Sequence, residues 1–156
     1  MIEIPVHITA LFEDLGPRTD AVDLVAFDAE AAAWRVVFDD DAELLVEWDA
    51  ECTRLMVQAS LGRPSEMGVL RAYEAALAYN AVWRENGNAR IGRVDNDGEL
   101  AMMFEVPATE LAVDTLQLAL LSVRSVAHAW TRWIANAGGH DEVPSSAGAP
   151  VPLQRV

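Results

Sequence analysis

Lysine is absent from this 156-residue chain: all 11 cationic side chains are arginine, set against 25 aspartates and glutamates, for a net charge of −14. Such a field repels phosphate backbones and anionic bilayers, which argues against nucleic-acid binding and membrane adsorption. Cysteine is scarce as well. Cys52 is the only one, so no internal disulfide can form, and no second thiol stands at zinc-ligand spacing. Long apolar runs are missing: even Leu116 to Val123 falls far short of the roughly 18 residues that cross a bilayer. The first residues show no basic start followed by an apolar stretch, as a signal peptide would. A cytoplasmic protein without membrane insertion is expected.

The groups that catalysis brings together are missing too. His7, His128 and His140 lie far apart in the sequence, and His128 has neither a second histidine nor an acid at i+4 to share a metal. Asp95, Asp97 and Gly98 resemble part of a calcium loop, but Arg93 stands where the first ligand belongs and Phe104 where the closing glutamate belongs. Asp39-Asp40-Asp41 reads as a solvated turn. Gly87 and Gly92 fit neither the P-loop nor the dinucleotide fingerprint. The expectation is a protein that is not an enzyme, with no metal site and no cofactor.

What is present is a hydrophobic content of 52%, enough for one core. Ile4, Ile8, Leu11, Phe12 and Leu15 recur at helical spacing, with Pro5 early and Gly16-Pro17 as a stop. Val22 to Phe27 reads as a short extended piece, and Ala29 to Ala33 as a turn or a loose helical turn. The period then changes to two: Trp34, Val36 and Phe38, then Leu44, Val46 and Trp48, then Leu55, Val57 and Ala59 mark three antiparallel strands. Ser65 and Glu66 open a second helix with Val69, Tyr73, Ala76, Asn80 and Trp83 on one stripe, closed by Asn86-Gly87. Asp97-Gly98 turns a hairpin between residues 89 to 94 and 99 to 105. Thr109 caps a third helix whose core stripe is Leu116, Leu120, Val123, Ala127, Trp130 and Ile134. The predicted fold class is α+β, an antiparallel sheet with three helices in the order α-β-β-β-α-β-β-α, forming one domain over residues 1–136. The Gly-, Ser- and Pro-rich stretch 137–156 reads as a disordered tail.

Charge and apolar surface are both in excess. Residues 1 to 66 hold 15 acids against 4 arginines, whereas residues 67 to 156 hold 10 against 7, so the acidic field is concentrated in the first half. If the strand residues named above face the helices, the other sheet face still carries Val37, Leu45 and Met56 among polar neighbours, and such a face calls for a second cover. Tyr73, Tyr79, Asn80 and Trp83 give the second helix the aromatic and polar groups enriched at interfaces.

The order of elements resembles that of class I type III secretion chaperones, the family that includes the Tir-type chaperones. "LFEDLG" (Leu11 to Gly16) is similar to the family's first-helix ending, "LMVQASLGRPSE" (Leu55 to Glu66) to its third strand and turn, and Val69 to Pro107 to its second helix and hairpin. Asn80 matches the asparagine that ends the helix-two pattern, and Gly98 the hairpin glycine. Trp130 and Trp133 resemble the aromatic end of the last helix. The resemblance implies a cytoplasmic homodimer that works without ATP and keeps the N-terminal segment of a secreted effector extended, with the secretion ATPase as a further candidate partner. On that reading Ile8, Phe12, Leu15, Val37, Leu45 and Met56 contact the effector, and Val69, Tyr73, Leu77, Asn80 and Trp83 form the dimer interface. The alternative is a YbjN-like regulatory adaptor of the same fold that binds a folded partner.

Overall fold

The computed structural model describes residues 3–136 and 142–144, so most of the tail expected over 137–156 lies outside the described residues. Helix α1 (Val6–Arg18) is followed by strands β1 (Val22–Asp28), β2 (Ala33–Phe38), β3 (Glu43–Asp49) and β4 (Arg54–Gly62). Then come helix α2 (Val69–Ala81), strands β5 (Arg90–Arg93) and β6 (Leu100–Pro107), and helix α3 (Val113–Ala135). The six strands form one antiparallel sheet in the order β1-β2-β3-β4-β6-β5. Its class is the predicted one, and the extended piece at Val22 to Phe27 is a full strand, so four strands precede α2.

The alternation read in the sequence is a burial pattern in the structure. Trp34 pairs with Val46, Val46 with Val57, and Val57 with Phe104, all buried, which carries one apolar row across four strands. Helices α1 and α3 cover that face, α3 with the predicted Leu116, Leu120, Val123, Ala127, Trp130 and Ile134 turned inward. Each large side chain so buried contributes roughly 1.5–3 kcal/mol relative to exposure.

Several boundaries differ from the sequence reading for local reasons. Helix α1 runs through Pro17 to Arg18, because a proline in the last turn gives up only one N–H bond before the helix ends at Thr19. Ser65 accepts the Gly68 N–H at 3.1 Å within a turn, so α2 opens at Val69 and not at Ser65. Glu110 takes a positive φ of 56°, which turns the chain after Thr109 and delays α3 to Val113. The inward stripe of α2 is Ala72, Ala75, Ala76 and Tyr79, so of the predicted stripe only Ala76 is buried, while Val69, Tyr73 and Asn80 are half-buried and Trp83 is exposed. From that side the Tyr79 ring reaches Trp130 of α3 and meets it edge to face at 5.3 Å. Trp83 lies beyond the end of α2, in the turns that the buried Asn86 ties to the Tyr79 carbonyl at 2.8 Å.

Candidate peptide-binding surfaces

One end of the sheet is strand β1, paired only with β2. Asp23 is an extra residue in that ladder, because Val22 pairs with Phe38 and Leu24 already with Val37. The bulge twists the strand and turns Asp23 out to solvent. Asp28 closes the far end, its Oδ1 accepting the N–H groups of Glu30 at 2.9 Å and Ala31 at 3.2 Å. Among the described residues, no side chain hydrogen-bonds to the backbone of residues 23–27. The outer edge of β1 is therefore open to another strand.

Between β1 and α1 runs a cleft of about 400 Å³. Its floor is aromatic: Phe12 stacks on Trp34 with centroids 4.1 Å apart, and Phe27 leans on the same indole at 5.0 Å. Phe12 and Trp34 are buried, whereas Phe27 is 49% and Leu24 45% exposed, so the stack rises from the core to the surface. Glu13 and Asp23 line the cleft, and among the described residues neither has an ion-pair partner. The cleft thus joins apolar seats, free carboxylates and an unpaired strand edge.

At the opposite end of the sheet the edge is occupied. The Asn80 amide donates to the Ile91 carbonyl and its Oδ1 accepts the Ile91 N–H, both at 2.8 Å. β5, which pairs only with β6, is in this way bound to α2.

The sheet face turned away from α1 and α3 is half open. Val37, Leu45 and Met56 are each half-buried there, joined by Met103 across the register from Gln58. Ion pairs frame them. Arg54 holds Asp49 at 2.8 Å and Glu105 at 2.7 Å, and Arg35 meets Glu43 at 3.7 Å. The Arg54 hydrogen bond, helped by the Cys52 N–H, keeps the Asp49 carboxyl below the usual carboxylate range.

Helix α2 presents a second apolar surface. Leu70 is 68% and Leu77 69% exposed, one heptad apart on the outward side, with Met67 and Trp83 also exposed near the helix ends. Val69 and Tyr73 are half-buried beside them. Among the described residues, no three His, Cys, Asp or Glu side chains are grouped as they would be around a metal ion.

A family model matches residues 13–131, described as the Tir chaperone protein (CesT) family. This chain belongs to the Tir chaperone family. The matched stretch begins inside α1 and ends inside α3, so it contains the whole sheet and α2. The fold is shared with a chain of the ExsC–ExsE complex, with a TM-score of 0.68, 18% identity, and 85% of this chain and 97% of that one covered. It is shared also with a chain of the HopA1–SchA chaperone–effector complex, at a TM-score of 0.59, 19% identity, and 82% and 99% coverage. No curated protein matches the sequence.

Against this geometry the residues singled out from sequence fall into three groups. Val37, Leu45 and Met56 lie together on the half-open face. Ile8 and Leu15 are fully buried under α1, and Phe12 reaches only the floor of the cleft. On α2, Leu77 faces outward and Val69 and Tyr73 are half-buried, while the Asn80 amide is engaged within the chain and Trp83 lies past the helix. Sequence reasoning missed Leu24 and Phe27, the exposed apolar residues of β1. Their signal was Val22, Leu24, Val25 and Phe27, and the bulge at Asp23 broke its alternation.

Proposed function

We propose that this member of the Tir chaperone family is a cytoplasmic type III secretion chaperone that holds the N-terminal segment of a secreted effector extended, as a homodimer. The observation that carries this reading is the open β1 edge beside the α1 cleft. An extended segment can add main-chain hydrogen bonds along β1 and seat alternate side chains on Phe27 and Leu24. Such binding uses a chain that is not folded, which suits a chaperone of export-competent protein. The half-open face with Val37, Leu45 and Met56 offers further apolar seats to a segment that continues around the sheet. Ile8, Phe12 and Leu15 serve from beneath, fixing α1 against the sheet so that the cleft keeps its width.

The exposed Leu77, with Val69, Tyr73 and Trp83, forms the contact between two copies, and Asn80 supports that surface by tying α2 to β5. The first-half acidic field favours a basic segment by long-range attraction. Co-purification from the native host tests the reading. Wild-type chain should bring down a secreted protein whose N-terminal fragment alone suffices for capture. Replacing Phe27, or Leu45 and Met56 together, with Asp should abolish that capture with the dimer intact; undiminished capture by both variants would sink the assignment.

A further inference from the structure

The alternation of the ladder assigns the free backbone of β1 residue by residue. In an antiparallel sheet the peptide groups of successive residues turn to one neighbouring strand and then to the other. The Phe38 N–H donates to the Ala42 carbonyl at 2.9 Å and the Trp48 N–H to the Ala32 carbonyl at 3.1 Å, so the even-numbered residues of β2 and its flank face β3. Val37, Arg35 and Ala33 therefore face β1, where they pair with Leu24, Ala26 and Asp28. Val25 and Phe27 are left with their N–H and C=O groups turned outward. A strand added at this edge registers on those two residues.

That register decides which side chains of the added strand enter the cleft, because directly opposed residues share a face of the sheet. Val25 pairs with Val36 and Phe27 with Trp34, and both line the cleft. The two residues set against them, two positions apart, thus point onto apolar ground. The next residue on that side lies two positions further toward the start of β1, beside Asp23. Helix α1 brings its own carboxylate there: the Thr19 carbonyl accepts the Val22 N–H at 2.9 Å, which joins the end of α1 to the start of β1, and Glu13 follows Phe12 in that direction. Glu13 and Asp23 line the cleft without an ion-pair partner among the described residues. A Cβ added at Gly16, on the same wall, would meet no atom within 4 Å, which leaves room for the stem of a long side chain.

We propose that the segment docked on β1 carries two apolar residues spaced by one, seated on Phe27 and Val25, and a cationic residue two positions further, held between Glu13 and Asp23. The inference rests on the reading of β1 as the docking edge. It adds a sequence pattern, read at short range, that the general acidity of the chain does not supply. Both carboxylates are exposed, so the cation adds a modest, salt-screened preference.

The probe is a nine-residue peptide blocked at both ends, with valine at its third and fifth positions, arginine at its seventh and serine elsewhere, titrated calorimetrically into the full chain. Its reversed sequence is titrated beside it, because an added strand can run in either direction, and the tighter of the two is carried forward. Replacing the arginine by glutamine, or moving it one position so that it faces away from the cleft, should weaken binding to wild type about fivefold at low salt and much less at high salt. Glu13→Gln/Asp23→Asn should bind the arginine and glutamine peptides alike. Glu51→Gln/Glu66→Gln, which removes the same charge outside the cleft, should keep the preference for arginine. Equal binding of the two peptides by wild type, a preference that survives in Glu13→Gln/Asp23→Asn, or one lost in Glu51→Gln/Glu66→Gln, overturns this inference and leaves the β1 reading standing. Failure of every peptide to bind wild type, or undiminished binding by Phe27→Asp, overturns the β1 reading and the inference with it.

Discussion

The rings of Phe12 and Trp34 lie 4.1 Å apart and within 8° of parallel, which joins helix α1 to strand β2 directly beneath the cleft. Both are buried, and Phe27 continues the stack outward to solvent. One aromatic column therefore runs from the core at its base to solvent at its tip, and on the proposed function the tip is where a partner docks.

Substitutions along that column should separate the two roles. Phe12→Ala removes a buried ring and leaves a cavity, so it should cost about 3–5 kcal/mol in urea unfolding. Phe27→Asp alters a half-exposed side chain, so its unfolding midpoint should stay close to wild type while partner capture is lost. Equal destabilisation by the two changes would show that the column does not divide this way.

The acid side of the stability profile follows from three carboxylates. Asp40 is held below the usual carboxylate range first by its hydrogen bond from Arg124, Asp49 by that from Arg54, and Asp95 by the Glu99 N–H. A group depressed in the folded state stabilises it above the unfolded value, near 4, and that contribution is lost as pH falls through the folded value. Melting temperature should thus drop below about pH 4. In Arg124→Met, which releases Asp39 and Asp40 together, the drop should be shallower. An unchanged profile in that variant would remove Asp40 from the account.

How far the sequence disclosed this protein depended on whether a pattern was regular. Strands β2, β3 and β4 alternate cleanly because one face is sealed by helices, and the α3 stripe is periodic for the same reason. β1 was legible only as an extended piece, since Asp23 shifts its register midway. The inward face of α2 is legible only at Ala76, because alanine carries little periodic signal and Ala72, Ala75 and Tyr79 are outweighed by larger residues that stay half-buried or exposed. Asn80 stands out in the sequence on the α2 stripe and in the family resemblance, but its bonds to Ile91 join positions 11 apart that only the fold brings together. Val37, Leu45 and Met56 were placed on the second face by alternation alone, and the structure puts them there.

The hairpin glycine and its neighbour on β5 should respond differently to alanine. Gly98 has a φ of +87°, a conformation that an L side chain adopts only with strain, and an added Cβ would also stand 3.4 Å from the Tyr73 hydroxyl. Gly98→Ala should cost about 1 kcal/mol or more, seen as a fall of roughly 2–4 °C in melting temperature. At Gly92 the nearest obstacle to a Cβ is the flexible end of Met103, 2.8 Å away. Gly92→Ala should cost less, because the methionine can rotate aside.

The dimer contact is the most exposed of the proposals, because it rests on surface that a lone subunit leaves bare. Leu70 and Leu77 lie two turns apart on the outward side of α2, each with about two thirds of its surface in solvent. A two-fold contact would set this patch against its own copy, so one substitution acts twice in every interface. Leu77→Asp would bring two carboxylates together in an apolar contact, where neither repulsion nor lost hydration is compensated. Sedimentation velocity should therefore find a dimer for wild type and a monomer for Leu77→Asp. The variant's circular dichroism should match wild type, since Leu77 adds little to the subunit's own core. A wild-type monomer, or a variant that sediments as wild type does, would move the contact off α2. Loss of the fold in the variant would instead show that the two leucines are covered before the subunit is complete.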